Sequence, residues 1–236
     1  MDPYIPFCGT PPVPAELWSR WTLDPALLLG LAVALAVGMR VAHDRRLMAA
    51  GWALAALLFV SPLCALSMAL FSARVAQHIL LTLVAAPVIA AALPRLRLPA
   101  LPMAGLFAVL FWGWHAPAPY AATLQSDLTY WAMHLSLTGS AVALFAALRA
   151  APERGLAAAG LTATQLTLYA VMVTLAPEPW HAWHEVHAIA FGLSGLADQQ
   201  LAGALMWVAG GAVFMALVGW LAWHFLRDDP RPRPAG

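Results

Sequence analysis

Imidazoles carry the chemistry available to this chain. Of its eight histidines, His43 and His224 fall on one side of the apolar runs. His78, His115, His134, His181, His184 and His187 fall at or near the other side. Three of these six belong to helix-forming runs. If the run that carries His78 enters the membrane near Phe71, a rise of ~1.5 Å per residue sets His78 roughly 10 Å deep. His134 sits at a similar depth in its own run, and His115 ends another. Met206 belongs to the same layer. An ionisable side chain within a span is costly, which makes each one a candidate site. Imidazoles with a thioether suit copper, Cu(I) above all, better than hard ions. The plainer reading is that each imidazole bonds a neighbouring helix. Independent placement would scatter them through the bilayer, so a common height favours a shared metal site at His78, His134, His115 and Met206.

A second group lies in PEPWHAWHEVH, where His181, His184 and His187 are spaced by three. The spacing is too short for an H-E-x-x-H zinc motif. It fits an interfacial segment anchored by Trp180 and Trp183, or an accessory loop that gathers copper. Cys8 is a possible soft accessory ligand, and Cys64 reads as a small buried hydrophobe. Two cysteines do not define a disulfide framework. There is no Ser-His-Asp set, no phosphate-cradling glycine loop and no pair of buried carboxylates. Asp24, Asp127 and Asp198 sit at the borders of apolar runs, where helix capping accounts for them.

The elements that must position these groups are apolar helices. The chain is 62% hydrophobic and 10% charged, with a mean hydropathy of +0.76. Soluble domains carry about 25% charged residues. A net charge of +1 gives nucleic-acid binding no support. Spans need ~20 mostly apolar residues, and seven runs qualify. They cover about 25–39, 47–68, 69–93, 98–115, 128–148, 156–176 and 201–226. Pro87 should kink the third. All cationic side chains are Arg. Arg40, Arg45, Arg46, Arg95, Arg97, Arg149, Arg154, Arg227, Arg231 and Arg233 occupy every second gap, and Arg20 and Arg74 lie opposite. Positive charge marks the cytoplasmic side. The expected architecture is therefore all-α: a seven-helix membrane bundle with its N-terminus outside and its C-terminus inside. Residues 1–24 form a periplasmic tail, 25–226 the bundle, and 227–236 a disordered cytoplasmic tail. The first apolar run can translocate the short N-terminal tail without a signal peptide.

FSARVAQHILLTLVAAP, FWGWHAPAPY, AMHLSL and DQQLAGALMW, in this order, resemble segments of the CtaG-type cytochrome c oxidase assembly proteins of bacteria. The N-terminal PFCGTPPVPAELWSRWTLDP is similar as well. The resemblance spans almost the whole chain. It implies a polytopic inner-membrane protein that helps to build a heme-copper oxidase through copper and is not an enzyme. His78, His115, His134, Asp198, Gln199 and Met206 match the motif positions. Relatives usually carry His four residues before His78, where this chain has Arg74, and often four before His134, where it has Tyr130. Both departures favour a sparse metal site.

The partners expected are an oxidase subunit with a copper centre, a soluble periplasmic copper donor and membrane lipid. A b-type heme protein with His78 and His134 as axial ligands is the first alternative. A scaffold without metal is another. A copper transporter is disfavoured, because the inner halves of the helices are nearly pure Ala, Leu and Val. Arg74, one turn from His78, needs a counter-charge if it faces the bundle: Asp198 is favoured over Glu185 and Asp127, as a lid between the third and seventh helices, and snorkelling to lipid phosphate is the alternative. The charge pattern predicts that a reporter fused after Gly236 is active in the cytoplasm and one near Trp183 in the periplasm. Opposite activity at either position contradicts the topology.

Overall fold

In a computed structural model, which describes residues 4–150 and 152–228, the chain is all-helical, with no strand among the described residues. Residues 229–236, with Arg231 and Arg233, lie outside that range, as do the side chains of Arg154 and His224. The helices are α1 Pro25–Val41, α2 Arg45–Val60, α3 Pro62–Ala69, α4 Phe71–Ile79 and α5 Ala86–Ala92. They continue as α6 Ala100–His115, α7 Pro117–Thr123, α8 Asp127–Ala150, α9 Pro152–Leu175, α10 Ala182–His187, α11 Gly195–Leu205 and α12 Gly211–Asp228. Among the described residues four continuous segments are long and apolar enough to span a bilayer: Phe71–Ala92, Asp127–Ala150, Gly155–Leu175 and Gly195–Trp220. The bent pair α2 and α3 makes a fifth. Helices α1 and α6 are apolar but have 17 and 16 residues.

Local chemistry sets the ends and breaks. Asp24 accepts from the Leu27 amide at 2.8 Å, and Pro25 opens α1. Asp44 caps α2 through the amides of Arg46 and Leu47. Pro62 cannot continue α2, because its ring disfavours helical backbone at Ser61. The chain turns by 52° there, and the second run divides. In the third run Pro87 has no amide hydrogen to offer the preceding turn. The backbone widens to a π turn at Leu80–Ala85, where the kink was expected. A second π turn, Met206–Gly210, separates α11 from α12. Short helices α7 and α10 lie in the two longest connections.

Helices α4, α6, α8, α9 and α11 pack around a common core, and α1 leans mainly on α2. Gly203 allows α11 to approach α9 closely: a Cβ there would meet Thr174 Oγ1 at 2.1 Å and the Ala170 carbonyl at 2.9 Å. At the other end of the bundle Arg149 donates to the carbonyls of Ala91 and Leu93 at 2.8 and 2.6 Å. A cation at a helix C-terminus also meets the negative end of its dipole.

The N-terminal segment is tied down. Phe7 stacks on Tyr130, Tyr4 donates to Asp127, and Cys8 is bonded to Cys64 of α3. This corrects the expectation of separate cysteines. In the disulfide Cys8 offers no thiolate, so it is not the accessory copper ligand the sequence allowed. The bridge closes a loop with a sequence separation of 56. Loops of such length stabilise by about 2–4 kcal/mol. Replacing both cysteines by Ser should lower the unfolding temperature of the purified protein and open residues 4–20 to protease. An unchanged melting curve contradicts the structural role.

Candidate functional site

The imidazoles of His78 on α4, His115 at the end of α6 and His134 on α8 meet inside the bundle. The His78 ring centroid lies 5.0 Å from that of His134 and 5.4 Å from that of His115, each pair nearly perpendicular. All three rings are buried. Where water is excluded, every donor needs an acceptor, and this assigns the tautomers. His134 Nδ1–H donates to the Tyr130 carbonyl one turn back, at 2.9 Å. His115 Nδ1–H donates to the Phe111 carbonyl at 2.7 Å. His115 Nε2 is then an acceptor, and His78 Nδ1–H faces it at 3.4 Å. The Nε2 lone pairs of His78 and His134 remain, both buried and without a hydrogen-bond partner.

A metal-ligating imidazole typically spends its other N–H on a carbonyl or another fixed acceptor, which holds the ring and the tautomer. His78 and His134 satisfy that requirement. The layer thus offers two neutral nitrogen donors. No group of three or more His, Cys, Asp or Glu side chains among the described residues is arranged to hold an ion. The donor set is sparse. It suits a d10 ion of low coordination number, such as Cu(I), better than ions that demand several oxygen ligands.

Met206 opens the second π turn and lines a cavity of about 330 Å³ with His78 and His115. Both π turns border this cavity, through Thr82 and Leu83 on one side and Trp207 and Gly210 on the other. His134 faces a separate apolar cavity of about 670 Å³, beside α1. The imidazole layer therefore stands between two pockets, with His78 and His115 on one and His134 on the other.

Asp198 lies within α11, because that helix starts at Gly195 and not beyond Gln200. Its carboxylate accepts from the backbone amides of Phe71 and Ser72 at 2.6 and 3.1 Å and from the Ser72 hydroxyl. These amides are unpaired donors of the first turn of α4, where a negative charge also meets the positive helix end. Asp198 thus ties α11 to α4, but through the backbone. The expected lid with Arg74 does not form: among the described residues the one ion pair is Arg20–Glu16. Arg74 is 0% exposed, and its guanidinium lies 5.9 Å from the Tyr120 ring and 5.4 Å from the Tyr130 ring. Gln199 accepts from the Trp180 amide at 2.6 Å and donates to the carbonyls of Val173 and Glu178, which fastens the 177–181 segment onto α11.

His181, His184 and His187 do not form one set. His184 receives the Tyr120 hydroxyl at 2.6 Å on Nε2 and contacts the Ala69 carbonyl through Nδ1, so both nitrogens are engaged. His187 Nδ1 bonds the Trp183 carbonyl. His181 packs at a tilt against Tyr120 and Phe71, with centroids at 4.1 and 4.6 Å. Sequence reasoning singled out Tyr130 but missed Tyr120, the second ring that encloses Arg74. Tyr120 lies in the segment FWGWHAPAPY, close after His115, and its place there was the available signal.

An all-helical chain with several segments apolar enough to cross a bilayer, and buried imidazoles at its centre, defines a polytopic membrane protein. The sequence profile of the cytochrome c oxidase caa3 assembly factor family (Caa3_CtaG) matches residues 100–228, more than half of the chain, and the chain belongs to that family. Neither curated proteins nor solved structures show a significant match.

His181 and His184 are 5% and 2% exposed. Burial holds both imidazoles at about 3, and the charge of Arg74 lowers them further. The Ala69 carbonyl opposes this at His184. In an unfolded chain they take up protons near pH 6.5. Their contribution is therefore complete above pH 6.5 and is lost as pH falls towards 3, by about 1.4 kcal/mol per pH unit for each ring. The unfolding temperature should drop between pH 6.5 and 5. His181→Phe, which keeps the packed ring, should flatten that slope, and an unchanged slope contradicts the assignment.

Proposed function

We propose that this member of an oxidase assembly family is a copper carrier and not an enzyme. It holds Cu(I) between His78 and His134 near the outer leaflet of the bacterial inner membrane, and passes it to an oxidase subunit with a copper centre. His115 orients His78, and Met206 is a nearby thioether for an ion on its way through the smaller cavity. The observation that carries this reading is the pair of buried, unpartnered Nε2 lone pairs on adjacent rings. Two neutral nitrogens bind moderately, which suits a carrier that must release its cargo. A soluble periplasmic copper donor is the expected source.

The topology in this reading is seven spans, with α1 and α6 as short crossings, the N-terminus outside and the C-terminus inside. The arginine pattern supports it. So does the disulfide between Cys8 and Cys64, since disulfides persist on the oxidising side of a bacterial inner membrane. The heme alternative is less well supported. Axial imidazoles bind from opposite faces of a macrocycle, which must fit between the two rings. The rings here are 5.0 Å apart.

His78→Ala should lower oxidase activity in cells while leaving the abundance of this protein unchanged, and excess copper in the medium should restore part of the activity. Loss of the protein itself, or a defect indifferent to copper, contradicts a carrier role.

A further inference from the structure

Arg74 is the one feature of the core that the copper reading does not use. It occupies the first turns of α4, four residues before His78, so the two side chains share a helix face. It is wholly buried, and its Nε and Nη1 atoms have no hydrogen-bond partner. Its Nη2 lies 3.8 Å from the Met68 sulfur. The rings of Tyr120 and Tyr130 give it cation–π contact. No carboxylate lies within 4 Å of it among the described residues. Asp198, the carboxylate at the start of the helix that carries Arg74, is taken up by backbone amides there.

The charge is also close to the imidazole layer. The Tyr130 ring, 5.4 Å from the guanidinium carbon, is 4.2 Å from the His134 ring. The guanidinium is therefore within about 10 Å of His134, a range over which unit charges still interact appreciably in a protein interior. His78, His115 and His134 are neutral donors and bring no compensating charge. Repulsion from a fixed cation grows in proportion to the charge of the ion bound.

We propose that Arg74 is a specificity determinant that excludes divalent ions from the His78–His134 site. This rests on the carrier reading above. Zn²⁺ or Cu²⁺ meets twice the repulsion that Cu(I) meets, so a layer that imidazole chemistry alone would open to zinc is biased towards the monovalent ion. In the same way Arg74 disfavours oxidation of a bound Cu(I) to Cu(II).

The test is metal titration of the full-length protein in detergent, with Zn²⁺ and, under anaerobic conditions, with Cu(I) against a competing chelator. Wild type should bind Cu(I) and take up Zn²⁺ weakly. Arg74→Gln should raise Zn²⁺ affinity at least tenfold, and the gain in log affinity should be about twice that for Cu(I). Arg74→Lys, which keeps the charge, should retain the discrimination. Met68→Glu sets a carboxylate beside the guanidinium and should reproduce the Gln phenotype, which secures the test if Arg74→Gln fails to fold. Equal gains for both ions, or none, overturn the role of Arg74 and leave the carrier reading intact. Absence of Cu(I) binding in wild type, or Cu(I) binding that survives loss of both His78 and His134, overturns the carrier reading itself.

Discussion

In a water-free interior a neutral imidazole whose N–H lacks an acceptor carries the full desolvation cost of that donor. In this bundle that cost decides the state of the imidazole layer. Each Nδ1–H is committed: His134 to Tyr130, His115 to Phe111, His78 to His115. The helical backbone supplies two of those acceptors from one turn back. The remaining lone pairs at His78 and His134 follow from this commitment. Were the Tyr130 carbonyl unavailable, His134 could present an N–H instead, and the pair would lose a donor.

Holding α4, α6 and α8 at the right separation is the second requirement. Asp198 fastens the start of α4 to α11, Gln199 fastens the outer segment to α11, and Gly203 lets α11 settle against α9. The N-terminal segment, bonded to α3 through Cys8 and stacked on Tyr130 through Phe7, covers that end of the bundle beside α8. Asp198 and Gln199 find their partners within the chain, as buried polar groups must where lipid surrounds it. Arg74 is different: aromatic rings soften its burial, and no carboxylate lies within 4 Å of it among the described residues.

Much of this was legible in the sequence. The apolar runs and their Arg-marked gaps correspond to α1, α2, α4–α6, α8, α9 and α11–α12, and helical rise alone set His78 and His134 at one height. The motif resemblance is matched by the family to which residues 100–228 belong. Other features depended on contacts that linear order does not carry. Cys8 and Cys64 meet because a tail folds back over the bundle. The polar D-Q-Q of residues 198–200 reads as loop by hydropathy, yet it is helical because Asp198 and Gln199 find backbone partners. Pro62 broke a run that composition alone kept whole. Arg74 invited pairing with Asp198, but the unpaired amides of a helix start had the prior claim on that carboxylate.

The central claim is that the Nε2 atoms of His78 and His134 are free donors with a common ligand. Nitrogen-15 NMR of the histidine-labelled protein reads each ring nitrogen directly. Before metal is added, both residues should show the Nδ1–H tautomer with an unprotonated Nε2. On anaerobic addition of Cu(I), those two Nε2 resonances should shift together while His184 and His187 stay in place. An Nε2–H tautomer at either residue, or a Cu(I) response confined to the outer histidines, would contradict the account.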